Sequence, residues 1–171
     1  MASVLKILIA YYSKTGNTEI ISNAIREALE ANWEVDMLKI EMVKEYSSFL
    51  LHLNPRIFFD TILNRKPWIR SLEDMSPYDL IFVGTPNWYS QIAPPVNTFI
   101  EKMVNFEGKN AIGFVSSGLS GESYADKLKN SLEKKGLRVL KTLNLKQREI
   151  NDSQLKEIKE ILKLIYKVNA D

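Results

Sequence analysis

The stretch Ser13-Lys14-Thr15-Gly16-Asn17-Thr18 determines how the rest of the sequence is interpreted. It follows an apolar run, residues 4–12, that predicts a buried parallel strand. It precedes a segment with apolar side chains at helical spacing, namely Ile20, Ile21, Ala24, Ile25, Ala28 and Leu29. The predicted order is therefore strand, hydroxyl-rich turn and helix. Because the first turn of a helix has unpaired N–H groups and the positive end of the helix dipole, this turn is suited to binding a phosphate.

The turn matches neither of two common nucleotide-binding loops. Gly16 is its only glycine, so the patterns G-x-G-x-x-G and G-x-x-x-x-G-K-[ST] are both absent. Lys14 is its only charged residue, so backbone amides and the hydroxyls of Ser13, Thr15 and Thr18 would have to hold the phosphate. Each hydrogen bond to a charged group contributes about 1.5–3 kcal/mol, which makes such a site feasible. A turn that only caps the helix explains the same residues, and the spacing does not choose between the two.

Length and composition predict one folded α/β domain over residues 1–171, with 45% apolar residues. The absence of cysteine excludes disulfides, thiolate metal sites and phosphatases with a cysteine nucleophile, and His52 cannot form a histidine metal site alone. The net charge of +2, from 23 basic and 21 acidic residues interspersed along the chain, argues against a nucleic-acid partner. No apolar stretch approaches the length of about 18 residues that membrane insertion needs, and residues 1–4 leave no room for a signal peptide. We therefore expect a cytoplasmic protein.

Four further strands are predicted, at residues 34–40, 78–84, 110–115 and 138–145. Charged residues in the second and last strands indicate edge positions, whereas 78–84 is apolar and suits the sheet centre. The intervening helices include one that starts at Pro94-Pro95, one that stops at Gly136, and a last helix near Asn151 with Gln154 at capping-box spacing. Right-handed crossovers then give a doubly wound, five-stranded parallel sheet in the order 2-1-3-4-5.

Residues 41–76 are predicted to form an extended helical crossover. Tyr46, Phe49, Leu50 and Leu53 fall at helical spacing, Pro55 interrupts, and Ile57, Phe58, Thr61 and Ile62 suggest a second short helix. The segment either covers one face of the sheet or forms a lid or dimer surface, because Phe58, Phe59 and Trp68 are costly to expose. A homodimer therefore stays open as an interpretation.

Two loops follow central strands at the sheet edge where ligands bind in open α/β folds. The first is Thr85-Pro86-Asn87-Trp88-Tyr89-Ser90, which bears two aromatic side chains. The second, residues 116–124, is rich in serine and glycine. Packing at the end of the sheet is the simpler explanation of the aromatic residues when that loop is taken alone, and a plain loop before a helix explains the second loop, so neither loop alone establishes a ligand site.

Taken together, these stretches resemble the flavodoxin family. The turn matches the pattern [ST]-x-T-G-x-T of its FMN phosphate loop at every position, and Pro86, Trp88 and Tyr89, followed by Pro94-Pro95, resemble its second loop. The resemblance implies a flavodoxin-like three-layer sandwich and non-covalent FMN. It implies phosphate contacts at Ser13, Lys14, Thr15, Gly16, Asn17 and Thr18; ring contacts at Thr85, Pro86, Asn87, Trp88, Tyr89 and Ser90; and pyrimidine-edge contacts at Ser117, Gly118, Gly121 and Tyr124. Ser90 stands where the family often has glycine, and a left-handed conformation there costs a non-glycine residue about 1–2 kcal/mol.

The resemblance leaves three functions to be distinguished. The first is an electron carrier that acts through FMN between a redox partner protein and an acceptor. The second is an NAD(P)H-dependent FMN enzyme that reduces a small acceptor such as a quinone. The third is a binding protein that keeps the fold without flavin. We find no paired carboxylates and no nucleophile–base pair in the sequence, so no side chain is predicted to be catalytic.

Overall fold

The computed structural model describes residues 5–47, 54–71, 74–118, 122–146 and 150–168. His52 and Gly121 lie outside these residues. The elements in chain order are β1 (Lys6–Tyr11), α1 (Asn17–Leu29), β2 (Glu34–Lys39), α2 (Pro55–Ile62), β3 (Leu80–Trp88), β4 (Gln91–Ile92), α3 (Pro94–Lys102), β5 (Asn110–Ser117), α4 (Glu122–Lys135), β6 (Arg138–Lys146) and α5 (Asp152–Val168).

Five of the strands form the predicted parallel sheet, in the order β2-β1-β3-β5-β6. The predicted fold class and strand order are confirmed, and β2 and β6 are the edge strands as expected. The short strand β4 was not predicted. It pairs antiparallel with the end of β3, where Asn87 lies opposite Ile92 and Trp88 opposite Gln91.

The central strand β3 starts and ends later than the predicted residues 78–84. Its extension has two causes. Thr85 and Pro86 continue the parallel ladder opposite Val115 and Ser116 of β5, and the last two residues of β3 pair with β4. The aromatic loop of the sequence prediction is therefore largely strand, and only Tyr89 and Ser90 turn between β3 and β4.

Alternate residues of the strands supply two hydrophobic cores, one on each face of the sheet. Leu8 and Ala10 of β1 belong to the core that contains α3 and α4, whereas Ile7 and Ile9 belong to the core that contains α1 and α5. This arrangement is the predicted three-layer sandwich. Among the described residues, no helix is both long enough and apolar enough to cross a lipid bilayer.

Helix α1 buries a narrower face than the sequence predicts. Ile21, Ile25 and Leu29 are buried at i, i+4 and i+8, but Ile20 is 44% exposed. Ile20 lies about 100° around the helix from Ile21, which takes it off the stripe that faces the sheet. The prediction that Ile20 shares this face is therefore wrong.

The crossover contains one helix within its described part. Pro55 starts α2 instead of interrupting a helix, because it occupies the first turn and the Asn54 side chain accepts a hydrogen bond from the Arg56 amide at 3.0 Å. Tyr46 is buried but not helical. The other three residues of the first predicted helix, Phe49, Leu50 and Leu53, lie outside the described residues.

A buried carboxylate connects Tyr46 to α2. Asp60 accepts a hydrogen bond from the Tyr46 hydroxyl at 3.2 Å and pairs with Arg56 and Arg65 at 3.5 and 3.4 Å. These bonds compensate the burial of the Asp60 charge. The segment of the crossover before α2 is therefore joined to α2 by a buried polar cluster.

The ends of the last two helices follow the sequence prediction. Gly136 follows the last residue of α4 with φ of 109°, a conformation that glycine adopts without steric cost. Asn151 and Gln154 form a reciprocal capping box at the start of α5, with N···O distances of 3.0 and 2.9 Å.

Candidate functional site

The three predicted stretches meet at the carboxyl edge of the sheet. The Thr18 and Ser116 hydroxyls lie 2.8 Å apart and join the first turn to the end of β5. The Tyr12 and Trp88 rings are in contact, with centroids 5.6 Å apart, and join the first turn to the end of β3. The Ser90 hydroxyl lies 3.5 Å from the Tyr124 hydroxyl and joins the second turn to α4. The fold thus produces the convergence that the topology predicted.

The turn before α1 presents an open helix start. Gly16 is the N-cap residue at φ of 87°, and none of the described side chains forms a capping hydrogen bond there. Thr15 is exposed, whereas Thr18 is buried and pairs with Ser116. A glycine cap supplies no side-chain acceptor to the first turn of the helix, and the helix dipole at this end favours an anionic ligand.

The Lys14 side chain forms an ion pair on the β2 side of this turn. Its ammonium lies 3.5 Å from the Glu45 carboxylate, which also accepts hydrogen bonds from the Tyr12 hydroxyl at 3.3 Å and the Met42 amide at 3.1 Å. Burial raises the pKa of Tyr12, and the Glu45 charge raises it further. Tyr12 is therefore a neutral donor at physiological pH, and Glu45 offsets the charge of Lys14.

The two aromatic residues of the second stretch have different environments. Trp88 is only 8% exposed, and its ring makes edge contacts with Tyr12 and Tyr46, each with centroids 5.6 Å apart. Tyr89 is 37% exposed and contacts the Phe58 ring of α2 edge-on at 5.3 Å. Trp88 fills the end of the core, so only its backbone lies in the turn region, whereas the Tyr89 ring faces outward.

The turn between β3 and β4 has an unusual backbone. Tyr89 and Ser90 have φ of 48° and 61°, as the two central residues of a type I′ hairpin turn require. Neither residue is glycine, so each costs about 1–2 kcal/mol in this conformation. Ser90 stands where the family often has glycine, so a left-handed conformation is unfavourable for it. The structure nevertheless has Ser90 in that conformation.

Contacts from other elements offset the strain of this turn. The Lys127 ammonium of α4 donates a hydrogen bond to the Ser90 carbonyl at 2.7 Å. The Ala93 amide donates to the buried Thr85 hydroxyl at 3.1 Å, which fixes the return of the chain after β4. The sequence interpretation missed Lys127. Its position three residues after Tyr124 on α4 places the two side chains on one helix face, which is the signal that could have found it.

The third stretch is only partly described. The Ser117 side chain is buried, and its hydroxyl donates to the Asn144 side chain at 3.3 Å. Gly118 is exposed, and Tyr124 is half-buried against the core. Gly121 lies outside the described residues. Ser116, the partner of Thr18, was not among the predicted site residues.

Two polar atoms in these stretches are buried without a hydrogen-bond partner among the described residues, namely the Ser13 hydroxyl oxygen and the Asn87 side-chain oxygen. Buried polar atoms in folded proteins are nearly always paired. One atom is in the turn before α1 and the other is near the end of β3. Together with the uncapped helix start, they fit a polar ligand with an anionic end at this edge, as FMN would be.

Comparison with known proteins agrees with this geometry. A family model described as Flavodoxin matches residues 6–160. The chain is 27% identical over 109 residues to an NAD(P)H dehydrogenase (quinone) of Rhodopseudomonas palustris, a match that covers 63% of this chain and 51% of the relative. The chain thus spans about half the length of the curated relatives it matches.

Solved structures share the fold over most of their length. A candidate flavoprotein of Bacteroides uniformis is 26% identical, with a TM-score of 0.75, and the match covers 92% of this chain and 99% of that one. A Lactobacillus acidophilus flavoprotein, solved in complex with FMN, is 24% identical, with a TM-score of 0.71 and coverage of 90% and 97%.

Proposed function

This chain belongs to the flavodoxin family, and on that premise we propose that it binds FMN non-covalently at the carboxyl edge of the sheet and transfers electrons through it. FMN supplies the redox chemistry when bound, and the protein supplies binding, orientation and access. The observation that carries the proposal is the helix start at Gly16, which lies beside a buried Ser13 hydroxyl; among the described residues, neither has a side-chain partner.

The residues of the first turn would hold the phosphate. The first amides of α1 and the hydroxyls of Ser13 and Thr15 are hydrogen-bond donors, and a helix start favours a dianion electrostatically. The Lys14 charge is shared with Glu45, so the amides and hydroxyls carry most of the binding. The Thr18 hydroxyl can donate to the phosphate as well, while it accepts a hydrogen bond from Ser116.

The ring would be held between the Tyr89-Ser90 turn and the third stretch. Tyr89 offers an exposed aromatic face, and Tyr124 borders the same turn. The backbone at residues 85–90 and at Ser117 and Gly118 would provide the polar contacts of the ring edge. No described side chain has to act as an acid or base in this role.

Addition of FMN to the purified protein tests the proposal. Flavin fluorescence should be quenched on titration, and riboflavin, which lacks the phosphate, should bind at least about 100-fold more weakly, because two or more charge-assisted bonds are absent. Ser13→Ala should lower the affinity for FMN without changing the affinity for riboflavin. Ser153→Ala, an exposed serine of α5, is the matched control. Equal affinity for FMN and riboflavin would contradict a phosphate site at this turn.

A second function is supported by the names of the curated relatives. Because these are NAD(P)H dehydrogenases that act on quinones, this chain is a candidate for NAD(P)H-dependent reduction of a quinone. Steady-state oxidation of NADPH with a quinone acceptor distinguishes this activity from electron transfer to a protein partner. A chain that binds FMN but oxidises no NAD(P)H would be an electron carrier.

We further propose that residues 1–171 form one domain in the cytoplasm and that the crossover, residues 41–76, provides a dimer surface through exposed aromatic side chains. Phe58, Phe59 and Trp68 are all exposed, and Phe58 and Phe59 form an edge contact with ring centroids 5.5 Å apart. Light scattering after size exclusion tests the dimer. Phe59→Ser should shift a dimer toward monomer. If the protein without the substitution and the Phe59→Ser variant both have the mass of a monomer, the dimer surface is refuted.

A further inference from the structure

A polar cavity lies directly behind the Tyr89-Ser90 turn. Its volume is about 380 Å³, within the range of small-molecule sites. It is open to solvent on one side and is bordered by the end of α2, by β4, by the start of α3 and by α4. Its lining residues are Thr61, Ile62, Asn64, Gln91, Ile92, Asn97, Lys127 and Asn130.

The composition of this lining is strongly biased. Among the described residues that line it, Lys127 is the single charged one, and four carry primary amides while none carries a carboxylate. The Thr61 side chain, only 4% exposed, has a hydroxyl without a hydrogen-bond partner among the described residues. An ammonium, several N–H donors and a hydroxyl together match the acceptor-rich surface of an oxyanion.

Lys127 has donors to spare for such a group. Its ammonium has three N–H donors, and one of them is bound to the Ser90 carbonyl at 2.7 Å. The Asn97 amide donates to the Asn64 side chain at 3.1 Å, which orders two of the lining amides. The cavity is therefore a partly ordered donor set around one positive charge.

The cavity is also connected to the proposed flavin turn. Gln91 pairs with Trp88 in the β3–β4 ladder, and Lys127 holds the Ser90 carbonyl. We propose that this cavity binds the phosphate or carboxylate group of a small molecule that exchanges electrons at the turn. This inference rests on the proposed function for the redox role, but not for anion binding itself. The anionic group would select which small molecules the protein accepts.

Side-chain amide resonances provide a direct test that needs no flavin. Inorganic phosphate and benzoate, titrated into ¹⁵N-labelled protein at low ionic strength, should shift the NH₂ signals of Gln91, Asn97 and Asn130 with one common, saturable dissociation constant. Sodium chloride at the same ionic strength should not produce this saturable shift. If these signals do not saturate with either anion, the cavity is not an anion site.

Variants on α4 separate a specific site from general surface charge. Asn130→Asp introduces a carboxylate into the lining with almost no change in shape. It should raise the dissociation constants of phosphate and benzoate at least fivefold. Lys129→Gln changes the net charge by the same amount on the same helix but lies outside the lining, and it should change binding less than twofold. If Asn130→Asp binds anions as well as the unchanged protein does, the proposal is refuted.

Two larger probes identify the source of the anionic group. Tighter binding of 2′,5′-ADP than of phosphate would assign the cavity to a nucleotide, and tighter binding of naphthoquinone-2-sulfonate than of benzoate would assign it to an acidic aromatic acceptor. If Asn130→Asp weakens neither probe, the cavity does not serve the redox site. The separate FMN titration detects failure of the proposed function, because anion binding in the cavity does not require FMN.

Discussion

Replacement of Thr18 by valine tests both the structure and the phosphate proposal. Valine matches the shape of threonine but removes the hydroxyl that lies 2.8 Å from the Ser116 hydroxyl in a buried position. The change leaves Ser116 without its partner, which costs about 1–3 kcal/mol in unfolding free energy. Ser116→Ala should cost a similar amount, because it leaves Thr18 unpaired.

The double variant makes this reasoning quantitative. Thr18→Val with Ser116→Ala removes both polar groups, so the two losses should not add, and the coupling energy should be about 1–2 kcal/mol. Urea unfolding of the four proteins, with equal m-values, measures this energy. Additive losses would show that the two hydroxyls do not interact.

FMN affinity gives an independent result for the same variants. Because each hydroxyl has only one hydrogen, Ser116 can donate to Thr18 while Thr18 donates to the phosphate. Thr18→Val should therefore weaken FMN by about 10- to 100-fold, the equivalent of about 1.5–3 kcal/mol. Ser116→Ala should weaken it only a few-fold. An affinity unchanged by Thr18→Val would exclude this hydroxyl from the phosphate site.

Three further predictions concern stability. Gly84→Ala should lower the free energy of unfolding by about 1–3 kcal/mol or more, because the new Cβ would lie 2.2 Å from the Phe114 ring; Phe114→Leu should restore part of the loss in a thermal melt. Burial and then the Glu19 carboxylate raise the pKa of Tyr11 to about 12, above the value near 10 of an unfolded chain. Neutral Tyr11 therefore makes its full contribution to the free energy of unfolding below pH 10, and this contribution is lost as the pH rises toward 12. In the Tyr11→Phe variant, the urea concentration at the unfolding midpoint should fall less steeply over this pH range. Asn151→Ala should cost about 1 kcal/mol by removing the cap of α5, and Asn151→Asp should keep it; equal losses would exclude the capping bond.

The sequence predicts the sheet well because the signals are strong and local. Apolar runs at β1, β3 and β5 have no alternative to burial, and charges mark the two edge strands. Strand β4 has only two residues, too few for a periodic pattern, and its turn is Tyr89-Ser90 instead of the usual Asn-Gly. The hairpin therefore depends on tertiary contacts that the sequence pattern does not contain.

The same distinction between local sequence signals and tertiary contacts applies to the candidate site. The turn before α1 is identified from a contiguous motif, and topology brings the other two stretches to it. An aromatic pair in sequence does not reveal which ring packs inward, and here Trp88 faces the core while Tyr89 faces outward. Lys127 and Ser116 act on residues far away in sequence, so motif reading did not find them.

The packing of Trp88 gives the protein an intrinsic optical reporter. Trp68 is 76% exposed, so its emission should be red-shifted and readily quenched by iodide, whereas the Trp88 indole, between Tyr12 and Tyr46, should emit at shorter wavelength and receive excitation energy from both phenols. The indole immediately precedes the strained turn at Tyr89-Ser90. In a Trp33→Phe, Trp68→Phe variant, which keeps Trp88 as the one indole of the sequence, the fluorescence lifetime should therefore report movements of that turn in solution without any added label.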